Sequence, residues 1–361
     1  MKILLPYISR SGDDITSKNI SGGIEKFSQN LFNLFPDEII PAKITKEDRT
    51  QRRTKQVFLD YVKRHNPDLI VLSDIDGYFH IPLIEQSIPT IQIIHEGLMG
   101  DIRYLTLYKN LHKFIEAGGH LYFVSENQYT YYDKHINRIT GSSLPKFHGF
   151  INSSFATGDE TVSDKIEYDV MTIGRTDTTK NPFFAHKKLK DTGLKTCVLT
   201  NAGNFQHSAA QVKYYEDNLH WKDPQVTFRG LPYIDTMNTL GTAGCYISTC
   251  AVESWGITAL EALTRGIPLI LVTDKSGKHS SQSIAADESH YRIVHSGIKP
   301  DELVTVVKEL SAYTYEQRLE ISKMTKEKHS KEKYKARLDE MISLAMTDTP
   351  IIKLGILDSF F

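Results

Sequence analysis

The sequence predicts an α/β protein built from parallel sheets and crossover helices in two domains. Three observations carry that expectation. The chain is 361 residues long, more than one domain of about 100 to 200 residues accounts for. Short apolar runs bounded by turn residues alternate with longer segments of helical periodicity, the pattern of strands joined by covering helices. A polar stretch, "NSSFATGDETVSDK" from Asn152 to Lys165, interrupts that alternation, as an interdomain connection does.

The elements follow in order. "MKILLPYI" is the first strand, and after a Gly/Ser/Asp-rich loop from Ser9 to Gly23 the residues Ile24, Phe27, Leu31 and Leu34 recur near helical spacing. "PDLIVLSD", "TIQIIHE" and "HLYFVSEN" read as buried strands, each ending in polar residues. Ligands of open α/β sheets gather at the carboxyl ends of strands, so Ser73, Asp74, His95, Glu96, Ser125 and Glu126 are candidate crevice residues. Beyond the polar stretch, "YDVMTIGR", "KTCVLTN", "QVTFRG", "AGCYIST" and "IPLILVTD" form a second series of strands. Pro300 and Asp301 then open a helix whose Leu303, Val306, Val307 and Leu310 share a face. No repeat of 20 to 50 residues is evident, which excludes a solenoid. The expected division is residues 1–155 and 165–345, with the tail from about 345 to 361 packing back on the first domain.

Apolar residues make up 40% of the chain and charged ones 24%, ordinary globular usage that excludes disordered and fibrous classes. The opening apolar stretch Ile3 to Ile8 contains Pro6 and is far shorter than the roughly 20 residues a bilayer span needs. It also lacks a small-residue cleavage site. A cytoplasmic protein without stable membrane insertion is expected. Cys197, Cys245 and Cys250 show neither metal-ligand spacing nor an even count, which suits a reducing compartment and structural thiols. Net charge is −1, so no global field draws the protein to a polyanion. Positive charge is concentrated in two segments, Lys43 to Arg64 and Lys323 to Arg337, each with a local balance of +5.

The segment "ESWGITALEALTRGIPLIL", Glu253 to Leu271, carries the most chemistry. Gly256 places Glu253 in a loop, while Thr258 onward begins a helix with Glu261 on it. Backbone N–H groups around Gly256, Ile257 and Thr258 then face outward at a helix N-terminus, where partial positive charge attracts phosphate. A carboxylate on either side accepts hydrogen bonds from sugar hydroxyls. That combination suits a nucleotide-sugar diphosphate.

The segment resembles the E-x7-E signature of retaining GT-B glycosyltransferases of the family-4 kind, and other pieces resemble that family in matching order. "SGGIEKFSQNL" resembles its glycine-rich loop, with Gly22 and Gly23 approaching donor phosphate. "VMTIGRTDTTKNP" resembles its strand and loop bearing Gly174, an Arg and a Lys, here Arg175 and Lys180. "VTFRG" followed by "AGCYIST" resembles the run into E-x7-E. The resemblance implies two Rossmann-like domains facing a central cleft, a hexosyl- or pentosyltransferase, and a nucleotide-sugar donor, best a UDP-sugar, with no further cofactor and no metal. By the same resemblance Arg175 and Lys180 neutralise the diphosphate, Glu261 holds the ribose and Glu253 touches the transferred sugar. His95 and Glu96 match a position near the sugar, where several relatives have Asp in place of Glu96; a satisfied structural histidine is the other reading of His95. Fixed cations stabilise a departing nucleoside diphosphate more than the bound donor. "SDIDG" sets Asp74 and Asp76 at Asp-x-Asp spacing, but in the first domain's strand-end loop, so no metal site is assigned.

"GGIEKFS" and "IGRTDTTKNP" are also similar to pieces of the bacteriophage α-glucosyltransferases that modify hydroxymethylcytosine in DNA. That likeness implies double-stranded DNA as the acceptor and, for a phage protein, the host cytoplasm as its location. The basic segment with Arg49, Arg52, Arg53 and Lys55 is its candidate contact with phosphates. A solvated helix face is the other reading of that segment, as of "KEKHSKEKYKAR". A bacterial glycosyltransferase acting on lipopolysaccharide, capsule or another glycan uses the same donor chemistry. A non-catalytic module binding a nucleotide sugar is the alternative of another class. The sugar and the oligomeric state are left open.

Overall fold

A computed structural model describes residues 1–8, 14–16, 23–44, 51–73, 88–95, 109, 111–144, 147–174, 180–199, 226–229, 232–250, 253–273 and 279–347. The chain divides into two compact units, Phe155–Lys331 and, on either side of it, Met1–Ser154 with Glu332–Phe361.

The first unit is a six-stranded sheet in the order β2-β1-β3-β4-β5-β6. Its strands are β1 (Ile3–Ile8), β2 (Ile39–Ile44), β3 (Leu69–Leu72), β4 (Thr90–Ile94), β5 (His120–Phe123) and β6 (Gly149–Phe150). Every pairing is parallel, with Ile3 opposite both Ile39 and Leu69, Val71 opposite Ile91, and Ile93 opposite Tyr122. Parallel neighbours require crossovers, and helices α1 (Gly23–Leu34), α2 (Gln51–His65) and α3 (Glu126–Thr140) belong to them. Leu4, Ile44, Phe58, Val62, Ile70 and Leu72 form one buried cluster, and Ile94, Leu121, Phe123, Tyr132 and Ile136 form another.

The second unit repeats the plan. Strands β7 (Tyr168–Ile173), β8 (Thr196–Leu199), β9 (Val226–Arg229), β10 (Ala243–Ser248), β11 (Leu269–Thr273) and β12 (Tyr291–His295) pair in the order β12-β11-β10-β7-β8-β9, all parallel. Helices α4 (Phe184–Leu189), α5 (Tyr233–Leu240), α6 (Ile257–Leu263), α7 (Pro300–Ser311) and α8 (Tyr315–Lys328) surround them. Counted from β7, this is the 3-2-1-4-5-6 order of a dinucleotide-binding sheet, and its order reverses between β7 and β10. Leu303, Val307 and Leu310 of α7 pack with Val170, Cys245 and Ile270 of the strands, the helix face expected from their spacing.

The buried interior strands are those that read as apolar runs. β2, β6 and β12 did not read as strands, and all three lie at sheet edges. An edge strand is half solvated and tolerates polar residues and proline, so "IIPAKI" and "YRIVH" lack the continuous apolar signal.

The polar stretch Asn152 to Lys165 is fastened at several points. Ser153, Ser154, Phe155 and Ala156 are buried, and Ala156 bridges Ser330. The second unit therefore begins inside that stretch, at Phe155, and the chain joins the first unit's grouping again from Glu332 in helix α9 (Lys331–Thr347). There Lys335 lies 4.5 Å over the Phe35 ring and pairs with Asp339 at 2.9 Å.

Among the described residues Arg318 of α8 is the largest fully buried side chain. Its guanidinium donates to the carbonyls of Ser163, Gly241, Ala243 and Gly266 at 3.1 to 3.4 Å. Two of these carbonyls stand where α5 and α6 end, at the negative poles of those helices. Gly266 has φ of +72°, and a Cβ there would stand 2.3 Å from the Arg318 carbonyl oxygen, so only glycine passes beneath α8. Elsewhere in the same basic region, Lys326 donates to the Glu160 carbonyl and Lys328 to those of Ser283 and Ala285. Lys326 and Lys328 thus anchor the fold. Among the described residues no helix is long and apolar enough to cross a membrane, and Cys197, Cys245 and Cys250 are buried thiols.

Candidate functional site

The strand order of the second unit reverses between β7 and β10, and the residues singled out from the sequence follow those two strands. Gly174 ends β7, and a Cβ on it would stand 3.3 Å from Cβ of Lys180, so the loop returns close over its own start. The Thr249 hydroxyl, just past β10, donates to the Lys180 carbonyl at 2.5 Å. This ties the two strand ends together. The Lys180 ammonium then donates to Glu253 Oε2 at 2.7 Å, with 28% and 19% of the two side chains exposed. Residues 73 apart in sequence thus form an ion pair that solvent or a ligand can reach.

Burial raises the Glu253 carboxyl, but the Lys180 charge, the hydrogen bond from it and the nearby His279 outweigh burial and hold it below the usual carboxylate range. The carboxylate is therefore ionised at neutral pH. Its backbone is held from another strand end. Past β11, His279 caps a 3-10 turn, Ser280–Ser283, and its Nδ1 accepts the Ser281 N–H at 3.2 Å. That bond leaves Nε2 to carry the proton in the neutral ring, 3.3 Å from Ser248 Oγ. The Ser280 hydroxyl donates to the Glu253 carbonyl. Burial pushes the His279 imidazole down to about 4.

Gly256 precedes α6 with φ of +82°, and no side chain caps that helix end. A Cβ at Gly256 would stand 2.2 Å from Ser281 Oγ. Ser281 Oγ is itself buried without a hydrogen-bond partner among the described residues. Glycine is thus required twice, by conformation and by space, and the first N–H groups of Ile257 and Thr258 lie at the start of this turn. Glu261, one helical turn further on, accepts the Tyr233 hydroxyl at Oε1, 2.5 Å away. Arg265 donates to the Glu261 carbonyl at 2.9 Å.

In the first unit, His95 follows β4 and is buried against Phe27, ring centroids 4.6 Å apart. Ser153 Oγ lies 3.5 Å from its Nδ1, while Nε2 has no partner among the described residues. Burial pushes this imidazole down to about 3, so it is neutral. Ser73 pairs with Ser28 at 3.2 Å. Ser125 serves as the N-cap of α3 through the Gln128 N–H, and Glu126 lies in that helix's first turn. Both thereby have structural duties.

The structure therefore brings Lys180 and Glu253 together, sets Gly256 beside them and places Glu261 on the following helix. Gly23 begins α1. Gly22, Glu96, Arg175, Arg49, Asp74 and Asp76 lie outside the described residues, and Arg52, Arg53 and Lys55 lie in the first turns of α2 with side chains outside them. Among the described residues no group of three or more His, Cys, Asp or Glu stands together as a metal site. Sequence reasoning missed His279, Ser280, Ser281 and Tyr233. The rule applied to strand ends in the first domain, carried to the loop after "IPLILVTD", points to the three in "KHSSQS"; no local pattern marks Tyr233.

Residues 158–328 match the family described as Glycosyl transferases group 1. No curated protein matches the chain. Among solved structures, HepE of Anabaena in complex with UDP and glucose is similar at 12% identity, over 95% of this chain and 99% of that one, with a TM-score of 0.71. Sucrose-phosphate synthase of Thermosynechococcus elongatus is similar at 12% identity, over 95% and 98%, with a TM-score of 0.75. The pneumococcal O-GlcNAc transferase GtfA in complex with UDP and GlcNAc aligns at 12% identity over 81% and 60%, with a TM-score of 0.56. At such identities the likeness is one of fold, and the fold is that of GT-B glycosyltransferases.

The depressed imidazoles of His95 and His279 set a pH dependence. A histidine that is neutral when folded takes up a proton near 6.5 only on unfolding, so its contribution is complete above 6.5. It is lost as pH falls toward about 4 for His279 and about 3 for His95. Between pH 6.5 and 5 each costs about 2 kcal/mol at about 1.4 kcal/mol per pH unit. Urea melts at pH 7 and pH 5 should show that loss, and His95→Gln or His279→Gln should each shrink the difference by about 2 kcal/mol. An unchanged difference in both variants would mean that the imidazoles titrate normally.

Proposed function

We propose that this chain, whose residues 158–328 form a Glycosyl transferases group 1 domain, transfers a sugar from a UDP-sugar to a hydroxyl acceptor with retention of anomeric configuration. The observation that carries the reading is the Lys180–Glu253 pair, set at the strand-order reversal of that domain and partly exposed. UDP in the complexes of HepE and GtfA supports the choice of nucleotide.

Each residue has a physical part in this reading. Lys180, with Arg175, neutralises the diphosphate, helped by the N–H groups of Ile257 and Thr258 beside Gly256. Gly22, Gly23 and Gly174 let the backbone approach. Glu261 accepts the ribose hydroxyls and Glu253 a hydroxyl of the transferred sugar. His95 contributes its Nε2, which has no partner among the described residues, to the sugar, and Glu96 is assigned to act with it. In the transfer, the bond from the sugar C1 to the phosphate oxygen breaks, the acceptor oxygen bonds C1 on the same face, and the acceptor's proton passes to the departing phosphate. Negative charge grows on that phosphate as it leaves, so a fixed cation lowers the barrier more than it tightens ground-state binding.

The ion pair adds a competition. In the free chain the Glu253 carboxylate occupies Lys180, and a diphosphate, carrying more charge, takes its place. Glu253 is then released toward the sugar. Calorimetric titration with UDP should therefore show Lys180→Met weakening binding by about tenfold or more. Glu253→Gln should tighten it about threefold to tenfold, the size of a partly exposed ion pair, while abolishing most turnover. Weaker UDP binding in Glu253→Gln would contradict the exchange. UDP binding without transfer by the wild type would favour a non-catalytic module.

Retention rests on the E-x7-E pattern of Glu253 and Glu261. An α-linked donor should give an α-linked product, read from the anomeric proton coupling. A β-linked product refutes it.

For the acceptor, the proposal is a hydroxymethylated pyrimidine in DNA, supported by α2, whose first turn holds Arg52 and Arg53 and no acidic residue. Affinity for duplex DNA should fall with salt at a log–log slope of about −0.9 per phosphate contacted. Replacing both Arg52 and Arg53 by Gln should flatten it by up to about two units. A full slope in the double variant would leave a glycan as the acceptor.

A further inference from the structure

Tyr233 opens α5 directly after Pro232, far in sequence from any residue of the E-x7-E segment, yet its hydroxyl donates to Glu261 Oε1 at 2.5 Å. A phenol on a rigid two-torsion side chain fixes the plane of the carboxylate it meets. Arg265, two residues past the end of α6, donates to the Glu261 backbone carbonyl. Burial, the Glu261 charge and this hydrogen bond together push the Tyr233 hydroxyl above its ordinary range, so it is a donor at neutral pH. The hydrogen bond restrains the orientation of the Glu261 carboxylate, as a carboxylate that accepts two adjacent hydroxyls requires.

We infer that Tyr233 is a positioning residue that makes the Glu261 site selective for ribonucleotides, through the paired 2′- and 3′-hydroxyls, over nucleotides lacking them. The inference rests on the proposed role of Glu261 at the donor ribose. A carboxylate held for two hydroxyls loses both bonds when the diol is absent and pays for its desolvation as well. One free to rotate finds water instead. Selectivity therefore depends on the hold and not only on the presence of Glu261.

The test compares UDP with 2′,3′-dideoxy-UDP by calorimetry on the full chain. The wild type should prefer UDP by tenfold or more. Tyr233→Phe, which removes one oxygen and keeps the ring, should weaken UDP about tenfold and leave the dideoxy nucleotide within twofold, so the preference collapses. Glu261→Gln should collapse it too. A second variant, Tyr233→Leu, is read the same way, because the ratio of two affinities on one protein is insensitive to the fraction folded. Equal weakening of both nucleotides in Tyr233→Phe, or no change in either, overturns the inference. If Glu261→Gln loses the preference while Tyr233→Phe keeps it, the positioning role alone falls. If the wild type shows no preference, or Glu261→Gln retains it, the ribose assignment falls and the inference with it.

Discussion

The constraint on which the second unit depends is that all of its strands run parallel. Parallel neighbours cannot be joined by a tight turn, so each strand is followed by a crossover and every carboxyl end opens on the same edge. The order reverses between β7 and β10, and in open α/β sheets ligands bind at such a point, outside the carboxyl ends of the strands. The loop after β7 supplies Lys180, the loop after β10 supplies Glu253, and the loop after β11 supplies His279 and Ser280. The site is a consequence of topology before it is a consequence of any side chain.

What makes the site rigid is a set of backbone attachments. Thr249 holds the Lys180 carbonyl and Ser280 holds the Glu253 carbonyl, so the two charged groups meet across a frame that does not rely on the ion pair itself. That matters because a partly exposed pair is worth little as a fastener and can change partners. On the far side of the same helices, Arg318 gathers the carbonyls at the ends of α5 and α6. Its charge is compensated by oriented dipoles in place of a carboxylate, and it fixes the two helices that carry Tyr233 and Glu261.

The first unit has a different character. Its strand-end residues are mostly satisfied within the fold, Ser73 by Ser28 and Ser125 by the N–H of Gln128. His95 is the exception, buried and neutral, its Nε2 without a partner among the described residues. A buried polar atom without a partner carries a cost in the free protein, and a ligand that supplies the partner recovers it.

The interior of both sheets was legible because buried parallel strands are apolar on both faces, and runs such as "PDLIVLSD" and "IPLILVTD" have no other soluble use. The edge strands β2 and β12 were not, since half of each faces water and the sequence there is free to be polar. Lys180, Glu253 and Glu261 were singled out in the sequence by the resemblance of short motifs to those of a family. Their pairing was not legible, because whether Lys180 meets a ligand or Glu253 depends on how two loops 73 residues apart are laid against each other. Tyr233 illustrates the same limit: a tyrosine after a proline carries no local signal, and only the packing of α5 beside α6 sets its hydroxyl against Glu261. The sequence by itself determined the class of fold, the order of its strands along the chain and the charged residues that follow them, because burial and helix spacing are written locally. The tertiary structure decided which of those residues meet, because strand order in the sheet and contacts between loops are set by long-range packing that no local pattern encodes.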